Sequence, residues 1–159
     1  MILTYKWSKK ATIEFHEEYE GAYAGDVSAS EIVRLSRKYV KGRVLDIGSG
    51  SGSLVNLIPN AVGVDLVPKH LNSIKGDVAN LPFKDRSFDT VFCTELLEHL
   101  CDSDLESGLK EVRRILSGKG HLIITVPYKE NLKVNTVLCP KCGAKFHRWD
   151  TCRCSMRKR

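Results

Sequence analysis

Apolar residues along the chain form two kinds of pattern, short nearly continuous runs and longer segments with helical spacing. The apolar runs predict strands at Arg43–Ile47, Ala61–Leu66, Ser73–Asp77, Phe88–Thr94 and His121–Val126. The helical spacing predicts helices at Ser30–Val40, Ser53–Ile58 and Asp104–Leu116. Strands separated by helices require crossover connections, so this order predicts an α/β fold with a mainly parallel, doubly wound sheet. Because the strands are apolar throughout, we expect helices on both faces of the sheet.

Each of the two longer helices has one apolar face, and both are expected to pack against the sheet. In the first helix, the residues expected on this face are Ile32, Val33, Leu35, Tyr39 and Val40. In the second helix, they are Leu105, Leu109, Val112, Ile115 and Leu116. The sequence Ser117-Gly118-Lys119-Gly120 then predicts a turn that leads into the last apolar strand.

Composition and charge narrow the class of protein. The chain has 159 residues, of which 42% are hydrophobic and 28% charged, values typical of a single globular domain. Its net charge is +6, but the excess is confined to residues 139–159, which contain seven basic residues and one acidic residue. Residues 1–138 carry 18 basic and 18 acidic side chains. This distribution excludes a uniformly basic nucleic-acid-binding surface on the body of the protein.

The amino-terminal residues have no apolar stretch typical of a secretory signal, and no apolar run is long enough to span a membrane. These features predict a soluble cytoplasmic protein without a membrane partner. Cysteines in that compartment are normally reduced, so closely spaced pairs indicate a metal site in preference to a disulfide.

The segment Val44–Gly52 combines a short strand, an acidic residue within it and glycines at every second position after it. Glycine allows a tight turn and a close approach of the backbone to a ligand, and the following helix start offers N–H groups. Asp65 ends the next strand, where an acid can accept hydrogen bonds from both hydroxyls of a ribose. Because a carboxylate at Asp46 would repel a pyrophosphate, the two acids indicate a nucleoside that carries a positive group. The G-x-G-x-G spacing also disfavours a nicotinamide-dependent oxidoreductase, whose fingerprint is G-x-G-x-x-G.

Together these segments resemble the class I S-adenosylmethionine-dependent methyltransferases, in particular the small-molecule type that includes ubiquinone and menaquinone methyltransferases. The resemblance runs in register from Val44 to Tyr128. It rests on VLDIGSGSG, GVDL, GDV followed by LPF, FDTVFCTELLEHL and EVRRILSGKGHLIITVP. It implies a Rossmann-like sheet, abbreviated here at its carboxyl-terminal end because the family usually has seven strands. Asn131–Leu138 and Lys145–Thr151 are the segments that remain for the sixth and seventh strands.

The resemblance also implies which residues contact S-adenosylmethionine. The glycine turn would surround the methionine part and the ribose, Asp65 would bind the ribose hydroxyls, and Asp77 would accept from the adenine amino group. The implied cofactor-binding residues are Asp46, Gly48, Ser49, Gly50, Gly52, Asp65, Leu66, Asp77, Val78, Thr94 and Glu95. For Asp77 and Glu95, the alternative interpretations are a turn-forming acid and an acid at a helix start.

Methyl transfer from a sulfonium depends mainly on placement of the nucleophile, although an oxygen or nitrogen nucleophile can also need a base. The candidate bases are His99 and Tyr19, followed by His16, Glu95 and Tyr128. A structural role is the alternative for His99. The predicted organisation is a helical lid with the first core helix in residues 1–42, a cofactor-binding core in 43–128, and a connector with a basic cysteine-rich tail in 129–159.

The tail begins with Cys139-Pro-Lys-Cys142-Gly, which resembles a zinc knuckle because the two-residue spacing lets both thiolates reach one ion. Cys152 and Cys154 would complete the site, with His147 as an alternative ligand. The other interpretation is a partly ordered tail with a reactive dithiol.

The sequence therefore predicts an S-adenosylmethionine-dependent methyltransferase that acts on an unidentified oxygen, nitrogen or carbon nucleophile. The alternative is an S-adenosylmethionine-binding regulatory or partner-dependent subunit whose basic cysteine-rich tail docks RNA or protein. A homodimer that covers an edge of the short sheet is a further expectation.

Overall fold

The computed structural model describes residues 9–18, 24–128, 136–138 and 145–147. The helices are α1 (Lys9–Glu18), α2 (Ala24–Ser36), α3 (Ser53–Leu57) and α4 (Asp102–Ile115), with a short 3-10 helix at Leu97–His99. The strands are β1 (Val44–Ile47), β2 (Val62–Asp65), β3 (Ser73–Lys75), β4 (Phe88–Thr94), β5 (Leu116–Thr125), β6 (Thr136–Leu138) and β7 (Lys145–His147). None of the helices in these residues is long and apolar enough to cross a membrane. The chain divides into two compact units, residues 1–126 and 127–159.

The first unit contains a five-stranded sheet in the order β3-β2-β1-β4-β5, and every neighbouring pair is parallel. The chain builds the sheet outward from β1 to β3 and then returns to the other side of β1 with β4. The crevice between β1 and β4 is therefore the topological switch point of a doubly wound sheet. The prediction of an α/β, mainly parallel sheet is confirmed.

Two separate apolar clusters cover the two faces of this sheet. One cluster joins Leu45 of β1 to Ile115 of α4, and the other joins Val44 of β1 to residues of α2 and α3. Successive side chains of a strand point to opposite faces. Asp46 therefore points to the same face as Val44, which is the face covered by α2 and α3.

Helix α2 begins and ends earlier than the predicted helix at Ser30–Val40. It ends at Ser36, whose hydroxyl donates to the carbonyl of Ile32 at 2.6 Å and whose own carbonyl accepts from the amide of Tyr39. Leu35 lies within the helix but on its exposed side, with 63% of its surface exposed, and Tyr39 lies beyond the end of the helix and is 43% exposed. The prediction for these two side chains is therefore wrong.

Helix α4 begins two residues before its predicted start. Val112 is buried as expected, whereas Leu109 lies at the edge of the helix face that contacts the core and is 44% exposed. Gly108 is also buried, and a Cβ at this position would lie 2.9 Å from a methyl group of Val78. The absence of a side chain at Gly108 thus lets the helix approach the loop that carries Val78.

The predicted turn at 117–120 lies within β5. Phe88 pairs with Leu116 and Thr90 pairs with His121, so two steps along β4 correspond to five along β5. The extra residues of β5 bulge out of the ladder at this point. The glycines that predicted a turn therefore belong to an irregular strand, and this prediction is wrong.

Strands β6 and β7 pair with each other in antiparallel orientation and form a two-stranded sheet of their own. Each of the segments predicted for the sixth and seventh strands, Asn131–Leu138 and Lys145–Thr151, contains a strand, but in the residues described these two strands pair with each other and are not part of the five-stranded sheet. The remaining residues of these two segments lie outside the described part of the chain.

Candidate functional site

Most of the predicted cofactor-binding residues lie at the carboxyl edge of the sheet, on both sides of the switch point. The glycine turn Gly48–Gly52 follows β1, and Asp65 ends β2. Asp77 follows β3, and Glu95 follows β4. In doubly wound folds, ligands bind in the crevice outside the carboxyl ends of the strands at such a point. The topology thus places these residues around one crevice.

The glycine turn uses the conformational freedom of glycine at three positions. Gly48, Gly50 and Gly52 have φ values of 78°, 47° and 82°, in the left-handed region. The amides of Gly48 and Ser49 donate to the carbonyl of Val64 in β2, at 2.8 and 3.2 Å. These bonds fix the turn to the neighbouring strand, and the left-handed φ values explain why glycine occurs at every second position.

Asp65 binds the backbone of the glycine turn and of the residues that follow β2. Its Oδ2 accepts from the amide of Gly50 at 2.9 Å, and its Oδ1 accepts from the amide of Val67 at 2.9 Å. Each carboxylate oxygen keeps further acceptor capacity. The half-buried Leu66 follows directly in the chain. Asp65 thus links the glycine turn to the end of β2 and can still accept from ligand hydroxyls.

Asp46 is a buried carboxyl group without full hydrogen bonding. Its side chain is on the α2–α3 face of β1 and is 3% exposed, and its Oδ1 has no hydrogen-bond partner among the described residues. Burial raises the pKa of Asp46 to about 8, and the negative charge of Asp65 adds to this increase. A buried acceptor without a partner is costly. A cationic or amino-bearing ligand in the crevice would stabilise its ionised form.

Asp77 has the features of a turn-forming acid. Its Oδ1 accepts from the amide of Ala79 at 2.9 Å. Its Oδ2 lies 2.6 Å from the Nζ of Lys9 in α1, and the same ammonium group lies 3.3 Å from Asp104 of α4. Val78 is buried in the core on the α4 side of the sheet. The carboxylate expected to meet an adenine amino group is therefore paired with Lys9 through its Oδ2 in this structure.

Glu95 adopts a left-handed conformation directly after β4, with a φ of 51°. Its amide donates to the carbonyl of Thr125 at 3.1 Å, and its Oε1 accepts from the Thr125 hydroxyl at 2.8 Å. Thr94, the half-buried last residue of β4, precedes it. A Cβ at Gly48 would lie 3.1 Å from Leu96, so the loop after β4 packs closely against the glycine turn.

Two of the histidines predicted as candidate bases, His99 and His16, are described by the structure. His99 is in the 3-10 helix, 48% of its side chain is exposed, and its Nε2 lies 3.9 Å from the Oε1 of Glu98. Burial lowers the pKa of His16 in α1, and the charge of nearby Asp65 acts in the opposite direction. Helix α1 thus brings His16 close to Asp65 and His99. Tyr19 lies outside the described residues.

The structure adds neighbours of the site that the sequence did not indicate. Lys9 reaches Asp77 from α1, and Thr125 binds Glu95 from the end of β5. The ring of His70 lies against Gly52, where a Cβ would overlap it. These contacts join residues far apart in sequence. Only the meeting of strand ends at one edge of the sheet could have suggested them.

The cysteines of the predicted zinc site lie outside the described residues, and for His147 only the backbone is described, in β7. In the part of the chain that the structure describes, no group of three or more His, Cys, Asp or Glu side chains is arranged to hold a metal ion. Burial raises the pKa of Cys93 to about 12, so this thiol stays protonated and unreactive. Zinc binding by Cys139, Cys142, Cys152 and Cys154 stays a prediction.

Comparison with known proteins identifies the family. Residues 45–124 match the family described as "Methyltransferase domain". An uncharacterized protein of Methanocaldococcus jannaschii is 34% identical over 122 residues, covering 69% of this chain and 53% of that protein. The demethylmenaquinone methyltransferase of Thermotoga maritima is 31% identical over 118 residues, covering 64% of this chain and 51% of that protein. The crystal structure of an S-adenosylmethionine-dependent methyltransferase from Archaeoglobus fulgidus is similar with a TM-score of 0.58 and 25% identity, covering 77% and 61% of the two chains.

The chain spans about half the length of the curated relatives that it matches. The family match covers half of this chain, and its bounds enclose the glycine turn, Asp65, Asp77 and Glu95. The structure assembles these segments at one edge of a doubly wound sheet. The chain therefore belongs to the methyltransferase-domain family.

Proposed function

We propose that the protein is an S-adenosylmethionine-dependent methyltransferase and that its cofactor binds in the crevice between β1 and β4. The observation that carries this proposal is the buried carboxyl group of Asp46, whose Oδ1 has no hydrogen-bond partner among the described residues. Asp46 lies two residues before a turn with three left-handed glycines. A carboxylate there disfavours phosphates and favours the positive charges of S-adenosylmethionine. Membership in the methyltransferase-domain family supports the same cofactor.

Each acid has a distinct proposed role toward the cofactor. Asp46 balances the positive charge of the methionine part, and Asp65 accepts from the ribose hydroxyls. Asp77 accepts from the adenine amino group, which requires Lys9 to share or leave its Oδ2. Leu66 packs on the adenine, and Val78, whose side chain is in the core on the α4 side, follows Asp77 in the chain. The glycine turn surrounds the methionine part and the ribose through Gly48, Ser49, Gly50 and Gly52.

When bound, S-adenosylmethionine supplies a methyl group on a positively charged sulfur, which is already activated for transfer. The main task of the protein is to hold an oxygen, nitrogen or carbon nucleophile roughly 3 Å from that methyl group and in line with the sulfur. Thr94 and Glu95 form the floor of the crevice. His99 and His16 are the proposed bases for a nucleophile that loses a proton.

Replacing Asp65 by asparagine is expected to weaken binding of S-adenosylhomocysteine by about 5- to 100-fold, the effect of losing a charged hydrogen bond. Asparagine removes the charge and exchanges one acceptor oxygen for a donor. Isothermal titration calorimetry measures the change. Glu106→Gln is the control, because Glu106 is an exposed acid on α4. If Asp65→Asn bound as tightly as this control, the role of Asp65 would be wrong.

We also propose that Cys139, Cys142, Cys152 and Cys154 bind one zinc ion, because thiolates at the knuckle spacing suit tetrahedral zinc. Full-length protein purified without added zinc is expected to contain about one equivalent. The double variant Cys139→Ser/Cys142→Ser should lose the metal, whereas Cys101→Ser should retain it. Atomic emission measurements of zinc content check this. Equal zinc content in the double variant and the unmodified protein would contradict the proposal.

A further inference from the structure

The segment that connects β3 to β4, residues 76–87, has no helix and no strand beyond an isolated bridge between Asp77 and Asn80. It nevertheless carries Asp77, the proposed acceptor for the adenine amino group. The amide of Gly76 donates to the carbonyl of Asp65 at the end of β2 at 2.9 Å, and within the segment the hydrogen bonds form local turns, such as the one from Ala79 to Asp77. Gly76 thus anchors the chain before Asp77 to β2, Lys9 of α1 contacts the Asp77 carboxylate, and the course of the chain after Asp77 depends on contacts with a further element.

Helix α4 supplies these contacts through two charged side chains. The amide of Leu81 donates to Oε2 of Glu111 at 2.7 Å, and its carbonyl accepts from Nη2 of Arg114 at 3.0 Å. Nη1 of Arg114 donates to the carbonyl of Phe83 at 2.7 Å and to Oδ1 of Asp85 at 2.8 Å. Both backbone polar groups of Leu81 are thus bound by side chains of α4.

The two side chains also fix each other. Nε and Nη2 of Arg114 donate to the two carboxylate oxygens of Glu111, each at 2.8 Å. A bidentate pair of this kind combines charge with a defined geometry, which a lysine cannot reproduce. Arg114 is 31% exposed and Glu111 17%, so the pair is only partly open to solvent. It is therefore a rigid clamp on the loop.

A second contact lies closer to Asp77. Val78 packs against Gly108 of α4, and Leu81 is 3% exposed in the same core. Asp77 thus precedes a short loop that is attached to α4 at Val78 and at Leu81. Releasing Leu81 would free one of the two attachments.

We infer that Glu111 and Arg114 are positioning residues that hold Asp77 where it recognises adenine, and that they thereby set the preference for adenine over a purine without the exocyclic amino group. This inference rests on the proposed function. The clamp is assigned an action through Asp77 and no contact with the cofactor. Its effect is on the geometry of the acceptor and appears as a change in ligand discrimination.

The test compares S-adenosylhomocysteine with S-inosylhomocysteine, in which a carbonyl oxygen replaces the adenine amino group. By titration calorimetry, the unmodified protein is expected to prefer the adenosyl compound by about tenfold or more, as for one charged hydrogen bond. Arg114→Met is expected to reduce this preference, measured as the ratio of the two dissociation constants, to less than about threefold. Arg113→Met, the same change at the exposed neighbouring position on α4, should keep the full preference.

Arg114→Lys keeps the positive charge but cannot make the bidentate contact with Glu111, so it should retain only part of the preference. If Arg114→Met does not fold, Glu111→Gln tests the same clamp with a smaller change and the same expected loss of preference. A merely structural role would weaken both ligands equally and leave their ratio unchanged, and that result would overturn the inference.

The experiment distinguishes failure of the proposed function from failure of the inference. If the unmodified protein binds neither compound, the proposed function is wrong and the inference falls with it. If it binds both without preference, the cofactor site stands and the inference is wrong. In the double variant Asp77→Ala/Arg114→Met, the preference should be no smaller than in Asp77→Ala alone, because the clamp acts only through Asp77.

Discussion

The unmodified protein is expected to become less stable as the pH rises from 5 to 8, and Asp46→Asn is expected to abolish this decrease. Burial raises the pKa of Asp46 from 3.8 to about 8, so the folded chain holds a proton that the unfolded chain releases. Between these two pKa values the folded state binds more protons, and the free energy of unfolding falls as the pH increases. Asparagine does not titrate, so this contribution disappears.

The expected size of the effect is on the order of 3 kcal/mol between pH 5 and pH 8, from about 1.4 kcal/mol per pH unit of difference. Denaturant unfolding at both pH values measures it, and subtracting the change for Asp46→Asn from the change for the unmodified protein cancels the contributions of the other titrating groups. Glu106→Gln is the control and should follow the unmodified protein. Parallel pH profiles for Asp46→Asn and the unmodified protein would show that Asp46 is ionised in the fold.

The same carboxyl group is expected to release a proton when S-adenosylmethionine binds near pH 7, because a nearby positive charge favours the ionised form. Calorimetry in two buffers with different enthalpies of ionisation counts this proton. Asp46→Asn should bind more weakly and release none. Proton release that is unchanged in the variant would assign the proton to another group.

Gly52→Ala is expected to cost about 2–3 kcal/mol of stability and to weaken binding of S-adenosylhomocysteine by at least about tenfold. Gly52 has a φ of 82°, which is unfavourable for any residue with a Cβ by roughly 1–2 kcal/mol. The added Cβ would also overlap the ring of His70. His70 is held by a 2.9 Å hydrogen bond to Asn56, so moving it has a further cost.

Two matched variants separate these causes. Gly118→Ala should change stability by less than about 0.5 kcal/mol, because no atom lies within 4 Å of its Cβ. The double variant Gly52→Ala/His70→Ala should recover the part of the loss that is due to overlap and keep the part due to φ. Thermal unfolding and titration calorimetry give both quantities. A Gly52→Ala protein as stable and as tightly binding as Gly118→Ala would contradict the role of this turn.

The fold could be predicted where burial dominates the sequence pattern. Strand β4 has the predicted bounds, Phe88–Thr94, because nearly all of its side chains are apolar or β-branched and most are buried. Residues 117–120 could not be assigned in this way. Glycines there are typical of a turn, and only the register with β4 makes the segment part of a strand.

The site could be predicted where backbone conformation restricts the residue type. The left-handed φ values of the turn select glycine, which is why Gly48, Gly50 and Gly52 were recognised in the sequence. Contacts between residues far apart in the chain do not restrict the residue type in this way. Glu111 and Arg114 are three residues apart on a helix, but so are Glu31 and Arg34, which form an exposed pair. Spacing alone does not distinguish a clamp from a surface salt bridge.

The most direct test of a cofactor site between β1 and β4 is calorimetric titration of the unmodified chain with S-adenosylhomocysteine and, separately, with NAD. The arrangement of Asp46, the glycine turn and Asp65 predicts saturable binding of one S-adenosylhomocysteine per chain and no binding of NAD. Binding of NAD alone, or no binding of either S-adenosylhomocysteine or S-adenosylmethionine at millimolar concentration, would contradict the proposed cofactor.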